Sequence, residues 1–186
     1  MTRKVRRVII IGLSYSLAML IVVGVALWQY RLNNDNVLVT QRFEAKVLPI
    51  INEYDIQHLF LNRADWCQAI QYHQQAYIHV VDTADQENCA IYAGKNSYNE
   101  TTFQTQGFTP AVQKDYTDIV KKLNTIKPHL LSIERNDTTI TLVSDIWFER
   151  RSYVYQPGYT LPADIPNELW HTRISDNWYR VDEDWN

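Results

Sequence analysis

Glycine is scarce in this chain: there are five glycines among 186 residues, and only Gly94, Gly107 and Gly158 follow residue 28. Loops that bind phosphates or dinucleotides need several closely spaced glycines, because side chains would keep the backbone amides away from the phosphates. Neither type of loop occurs in the sequence. The Gly-x-Ser-x-Gly and His-Glu-x-x-His motifs are also missing, so the usual signatures of serine hydrolases and zinc proteases are absent.

Metal-binding residue types are not grouped in the sequence. The five histidines are scattered, and the acidic stretch of residues 182–184 lacks the spacing and the glycine of a calcium-binding loop. We interpret this stretch as part of a solvated acidic tail. We therefore expect no metal and no cofactor, and the sequence assigns no catalytic residue.

The part of the chain beyond Trp28 has no excess of positive charge. Beyond Trp28 there are 14 basic and 21 acidic residues, which gives this part a formal charge of −7. Affinity for nucleic acids rests largely on Lys and Arg side chains that neutralise phosphates. The composition therefore excludes nucleic acid as an expected partner.

Charge of either sign is absent from residues 8–28. As a helix this run would be about 31 Å long, which matches the hydrocarbon thickness of a bilayer. Four basic residues lie within residues 1–7, and positive charge stays on the cytoplasmic side. We predict a cytoplasmic basic segment at 1–7 and a transmembrane signal-anchor helix at 8–28, with the lipid bilayer as partner. The chain is then a single-pass protein of the cell (inner) membrane, with a cytoplasmic N-terminus and its C-terminal domain outside.

A cleaved signal peptide is the alternative interpretation, because Gly24, Val25 and Ala26 match a small-x-small cleavage site. The apolar run is longer than the about 7–15 residues usual for such peptides. Trp28 and Tyr30 also suit the aromatic belt at a membrane surface. These features favour an uncleaved anchor.

The chain has two cysteines, Cys67 and Cys89, and both follow the apolar run. An even pair in an oxidising compartment outside the cytoplasm favours a disulfide. A redox-active pair more often has Cys-x-x-Cys spacing, which this pair lacks. Two free, buried thiols are the other interpretation.

The part beyond the membrane is predicted to be one α+β domain. Residues 29–38 form a polar linker, and residues 39–186 form the exported domain. Runs typical of strands lie at 76–81, 89–93, 131–133, 140–142, 146–155, 169–174 and 178–181. Two helices precede most of these strands, which predicts two helices packed on an antiparallel sheet.

Both helices are predicted from apolar residues at helical spacing. The first runs from Thr40 to about Tyr54, and Pro49 should kink or split it. The second begins at Pro110, because proline is favoured at the first helical position, and it continues to about Ile126. Within it, Asp118 and Lys122 have the spacing of an ion pair on one helix face.

Aromatic residues are dense near the C-terminus. Tyr153, Tyr155, Tyr159, Trp170 and Trp178 form a possible binding surface, because exposed Trp and Tyr can stack on sugars or peptides. The alternative is cross-strand packing, in which aromatic pairs stabilise a small sheet. Sequence alone leaves both interpretations open.

We expect a membrane-anchored envelope protein that is not an enzyme and whose exported domain binds a protein partner or an envelope polymer. The alternative is an envelope hydrolase with an unrecognised Asp/Glu/His site near the aromatic residues. A pocket that brings His129 or His171 together with carboxylates would favour the hydrolase.

The anchor leads to a direct prediction. The full chain should fractionate with membranes and resist extraction at high pH, and its intact mass should include residues 1–28, because the apolar run stays in the bilayer. Deletion of residues 8–28 should abolish membrane association. A mature protein that begins near Leu27 would show that the segment is a cleaved signal.

Overall fold

In the described part of the chain, two long helices pack on one large sheet. In the computed structural model, residues 19–28, 35–61, 67–80, 105–146 and 149–183 are described. These residues form three helices and nine strands. The α+β class expected from the sequence is confirmed.

The strands β1 to β9, in chain order, are Ile56–Phe60, Cys67–Tyr72, Gln75–Val80, Thr105–Gly107, Leu130–Arg135, Ile140–Ile146, Glu149–Tyr155, Leu169–Arg173 and Trp178–Glu183. Their order across the sheet is β4-β3-β2-β1-β5-β6-β7-β9-β8. Strands β3 and β4 run parallel, and the other described neighbours are antiparallel. The sheet is therefore mixed, and the prediction of a purely antiparallel sheet is wrong.

The predicted strand at 146–155 is in fact the junction of two strands. Ile146 ends β6 and pairs with Glu149, the first residue of β7, so the chain reverses between them. The sequence has no Gly, Pro, Asn or Asp between residues 146 and 155 to mark this reversal. The strand predicted at 89–93 lies outside the described residues.

The helices are α1 at residues 19–28, α2 at Asn36–Glu53 and α3 at Pro110–Asn124. The Asp35 carboxylate caps α2 by accepting hydrogen bonds from two backbone amides of the first turn, both at 3.1 Å. The α2 helix continues through Pro49, so the predicted split does not occur. Thr109 caps α3, and the prediction of Pro110 as its first residue is confirmed.

The predicted anchor is described only in part. Residues 19–28 are helical, and their large apolar side chains are exposed. Residues 8–18 of the predicted span and residues 1–7 lie outside the described residues. Among the helices that can be described, none has both the length and the apolar character needed to cross a membrane.

The main core lies between the two longer helices and one face of the sheet. Its largest fully buried side chains include Phe43, Ile51, Ile56, Leu59, Ile70, Ile119, Leu123, Ile133, Leu142, Tyr153 and Trp178. The helices contribute residues three or four apart, and the strands contribute alternate residues. Smaller apolar clusters lie on the opposite face of the sheet, around Cys67 and around Tyr179.

One core contact predicts how stability depends on pH. The Tyr116 hydroxyl donates to the carbonyl oxygen of Phe60 at 3.3 Å, and burial raises the pKa of Tyr116 to about 12. The unfolded pKa is about 10, so the stability from protonated Tyr116 is complete below pH 10 and is lost as the pH rises towards 12.

Tyr116→Phe should therefore have two effects on the free energy of unfolding, measured by urea denaturation of the full chain in detergent. At pH 7 it should lower this free energy by about 1 kcal/mol, because one hydrogen bond is lost. Between pH 10 and 12 the variant should lose about 2 kcal/mol less stability than the wild type. Equal losses in the two proteins would contradict the assignment.

Candidate functional site

The five aromatic residues of the predicted binding surface do not share one exposed surface. Tyr153 and Trp178 are 0% and 1% exposed, and Tyr159 is 9% exposed. Tyr155 is half-buried and packs on Trp178 with ring centroids 5.2 Å apart. Trp170 is the one exposed member of this set, at 39%. Four of the five therefore fit the alternative interpretation, in which aromatic residues stabilise the sheet.

The buried rings hold α2 against the sheet. Phe43 of α2 packs edge-on against Tyr153, with centroids 5.4 Å apart, and lies 6.3 Å from Trp178. The Trp178 indole N–H donates to Oε1 of Glu44 at 2.7 Å. Burial of a tryptophan usually requires such a partner for its N–H group.

Cys67 is fully buried on β2 and forms a disulfide. Cys89 is the other cysteine of the sequence, and it lies outside the described residues. The pairing of Cys67 with Cys89 stays a prediction.

An ionic cluster, composed of Arg151, Arg180, Asp182, Tyr153 and Asn36, lies where α2 begins. Asp182 Oδ2 accepts from Arg180 Nε at 2.8 Å, and Asp182 Oδ1 lies 3.5 Å from Arg151 Nε. Asn36 Oδ1 accepts from Arg180 at 3.2 Å and from the Tyr153 hydroxyl at 3.4 Å. Burial raises the pKa of Tyr153, although both arginines act to lower it. The predicted solvated tail is therefore wrong for Asp182, which is part of a half-buried network.

The two histidines that would favour a hydrolase have different surroundings. The Asp164 carboxylate accepts from the His171 backbone amide at 2.6 Å and lies 3.4 Å from His171 Nδ1. The imidazole also packs against Tyr179, with ring centroids 6.2 Å apart. His129 lies against Lys127, and its pKa is lowered by burial and then by that lysine.

Metal ligands do not converge in the described ranges. No group of three or more His, Cys, Asp or Glu side chains there is arranged to hold an ion.

A groove lies between α2, α3 and the turn that follows α3. Its volume is about 480 Å³, and it is lined by Lys46, Ile50, Lys121, Lys122, Thr125 and Ile126. Ile50 and Ile126 are buried core residues, so the floor of the groove is apolar. The three lysines surround this floor. We call this feature the lysine groove.

Two of the three lysines are not neutralised within the part of the chain that the structure describes: Lys46 and Lys121 have no carboxylate at ion-pair distance. Lys122 lies 3.4 Å from the Glu53 carboxylate and 3.4 Å from the Tyr54 hydroxyl. The hydrogen bond to Tyr54 is the largest cause that raises the pKa of Lys122. The groove therefore combines an apolar floor with excess positive charge.

The ion pairs along α3 differ from the sequence prediction. Asp118 pairs with Lys114 at 2.8 Å rather than with Lys122. Both pairings have helical i, i+4 spacing, but Lys122 is instead drawn to Glu53 across the helix interface. The lysine groove was not predicted from the sequence, because two helix segments that contain lysines carry no local sign that they lie side by side.

Comparison of the chain with known protein families, with curated proteins and with solved structures finds no match.

The contribution of the ionic cluster to stability can be tested by comparison with an exposed ion pair. Asp182→Ala should lower the free energy of unfolding by about 1–3 kcal/mol, because it leaves two half-buried guanidinium groups without this carboxylate. Asp176→Ala removes an exposed partner that lies 2.9 Å from Arg173, and it should cost at most about 0.5 kcal/mol. Urea denaturation of the full chain measures both. Equal costs would show that the cluster behaves as an ordinary surface pair.

Proposed function

We propose that this chain is a single-pass envelope protein, anchored by residues 8–28, whose exported domain is a binding module rather than an enzyme. The uncharged run and the basic residues before it support the anchor and its orientation. The disulfide at Cys67 agrees with an oxidising compartment. The partner binds in the lysine groove.

The observation that carries the binding role is the unneutralised charge of the groove. The part of the chain beyond Trp28 has a formal charge of −7, yet Lys46, Lys121 and Lys122 surround one apolar floor. Like charges close together cost free energy unless a counter-charge is present. An acidic partner supplies that counter-charge, whereas the acidic remainder of the domain repels such a partner and restricts it to this site.

The apolar floor favours an acidic protein segment over a polyanionic polymer. A polymer of phosphates or uronates would use the lysines but would leave Ile50 and Ile126 without a complementary surface. An amphipathic segment places apolar side chains on the floor and carboxylates on the surrounding lysines, as in other helix-in-groove complexes. Two parallel or antiparallel helices also offer a natural groove for a third helix.

The hydrolase alternative has one contact in its favour. The Asp164 carboxylate lies 3.4 Å from His171 Nδ1, near the place of a carboxylate that orients a catalytic base, although the two groups form no side-chain hydrogen bond. However, the His171 side chain is 9% exposed and packs on Tyr179, and the lysine groove is formed by other elements. Binding is therefore the function that the geometry supports better.

The test places a photo-crosslinking amino acid at Thr125, on the groove, in the full chain in its host membrane. We expect capture of a protein whose crosslinked peptide is acidic and amphipathic. A synthetic copy of that peptide should bind the purified full chain in detergent, and its affinity should fall as salt rises, because the lysine contacts are screened.

Matched charge reversals on α3 complete the test. Lys121→Glu should weaken peptide binding by about tenfold or more, because it replaces an attraction with a repulsion. Lys114→Glu makes the same change in charge on the same helix, outside the groove, and should leave binding almost unchanged. A crosslinked peptide without acidic residues, or equal effects of the two substitutions, would refute the proposal.

A further inference from the structure

Exposed apolar side chains of the exported domain concentrate near the point where the chain leaves the membrane. Beyond residue 28, the large hydrophobic residues with high exposure in the described ranges are Val37 at 49%, Leu161 at 37%, Ile165 at 44% and Trp170 at 39%. Single exposed apolar residues are ordinary on protein surfaces. These residues are of interest because of where they lie, near the start of α2.

Direct contacts place Trp170 close to the start of α2. Trp170 is the cross-strand partner of Asp182, and Asp182 binds Arg180 at 2.6 Å. Arg180 in turn donates to Asn36, the first residue of α2, at 3.2 Å. Ile165 joins the same end of the sheet, because its backbone pairs with Leu169, the neighbour of Trp170.

We call this part of the domain the tether end, composed of Asn36, Val37, Ile165, Trp170 and Asp182. The opposite end of the sheet is defined by the pairing of Ile140 with Tyr155 and of Tyr155 with Trp178. The hairpin between β5 and β6 lies at that opposite end. The two ends are thus separated by the length of the strands.

The length of the connecting chain limits where the tether end can lie. Eight peptide steps join Trp28 to Asn36, and they span at most about 28 Å even when fully extended. A short connection keeps the effective concentration of the bilayer high at the tether end. The bilayer is therefore the surface that these apolar side chains meet most often.

The chemistry of the tether end suits the headgroup region of a bilayer. Tryptophan is enriched there, because its ring is apolar and its N–H group can still donate. The described charged groups at this end sum to a formal charge of −3, with Arg151 and Arg180 against Asp35, Asp164, Glu168, Asp182 and Glu183. Attraction therefore arises from apolar contact and not from anionic lipid.

We propose that the tether end docks on the bilayer, with Trp170 and Ile165 in the headgroup region. This docking surface rests on the anchor proposed above. Because α2 leads away from the tether end, docking holds Lys46 about 15 Å further along the helix axis. The lysine groove is then presented beyond the headgroups, where a partner can reach it.

The experiment uses the full chain in phosphatidylcholine nanodiscs, with a nitroxide label on Ile165→Cys. A matched control carries the label on Asp137→Cys, an exposed position in the hairpin at the opposite end. Cys67 is disulfide-bonded and does not compete for the label under non-reducing conditions. Collision of each label with oxygen and with a water-soluble nickel chelate is measured by electron paramagnetic resonance.

We expect the ratio of oxygen to nickel collisions to be about threefold higher at position 165 than at position 137, because oxygen partitions into the apolar part of the bilayer. The ratio should not change in high salt. Adding Trp170→Glu to the Ile165→Cys chain should lower the ratio to that of the control, while the chain stays in the nanodisc and keeps its circular dichroism spectrum.

Equal ratios at the two positions in a chain that is incorporated would overturn the docking and leave the anchor intact. A chain that does not incorporate into nanodiscs would refute the anchor, and the docking with it. A ratio that stays high in the Trp170→Glu chain would show that this end is shielded by protein instead of lipid.

Discussion

The contact of Phe43 with Tyr153 and Trp178 is the interaction on which the rest of this structure depends. It joins α2 to strands β7 and β9, whose residues Tyr153 and Trp178 lie more than 100 residues beyond Phe43 in the chain. A buried aromatic cluster of this kind contributes both apolar area and specific edge-to-face geometry. The helix is thereby fixed in position and rotation on the sheet, so its polar residues have defined neighbours.

Two consequences of that contact determine the ionic cluster and the lysine groove. At one end of α2, Asn36 is brought to Arg180 and Tyr153, which ties the start of the helix to the sheet. Further along α2, Lys46 and Ile50 line the lysine groove together with residues of α3 and the turn after it. Because α2 is one continuous helix, the position of its start also sets where the groove faces.

Local patterns in the sequence predicted the elements well. The apolar spacing of α3 and its proline at the first position predicted its start, and the turn residues between two strand-like runs predicted the hairpin of β8 and β9.

Errors arose where the local pattern of residues was ambiguous. The run from Ile146 to Tyr155 contains no Gly, Pro, Asn or Asp to mark a turn, so the reversal between β6 and β7 left no local sign. The parallel pairing of β3 with β4 joins distant segments and has no local signal either.

By itself the sequence determined the charge balance, the uncharged run of residues 8–28, the α+β class and the absence of common nucleotide and hydrolase motifs. Only tertiary structure decided which aromatic residues are buried, that Asp182 belongs to a half-buried network instead of a tail, and that Lys46 lies beside Lys121. The physical reason is the distance along the chain over which each kind of signal acts. Periodicity and turn chemistry act within a few residues, whereas burial and charge pairing depend on which elements pack together. Both the groove and the tether end are built from segments far apart in the chain. The spacing of residues in the sequence therefore does not predict that these segments lie together.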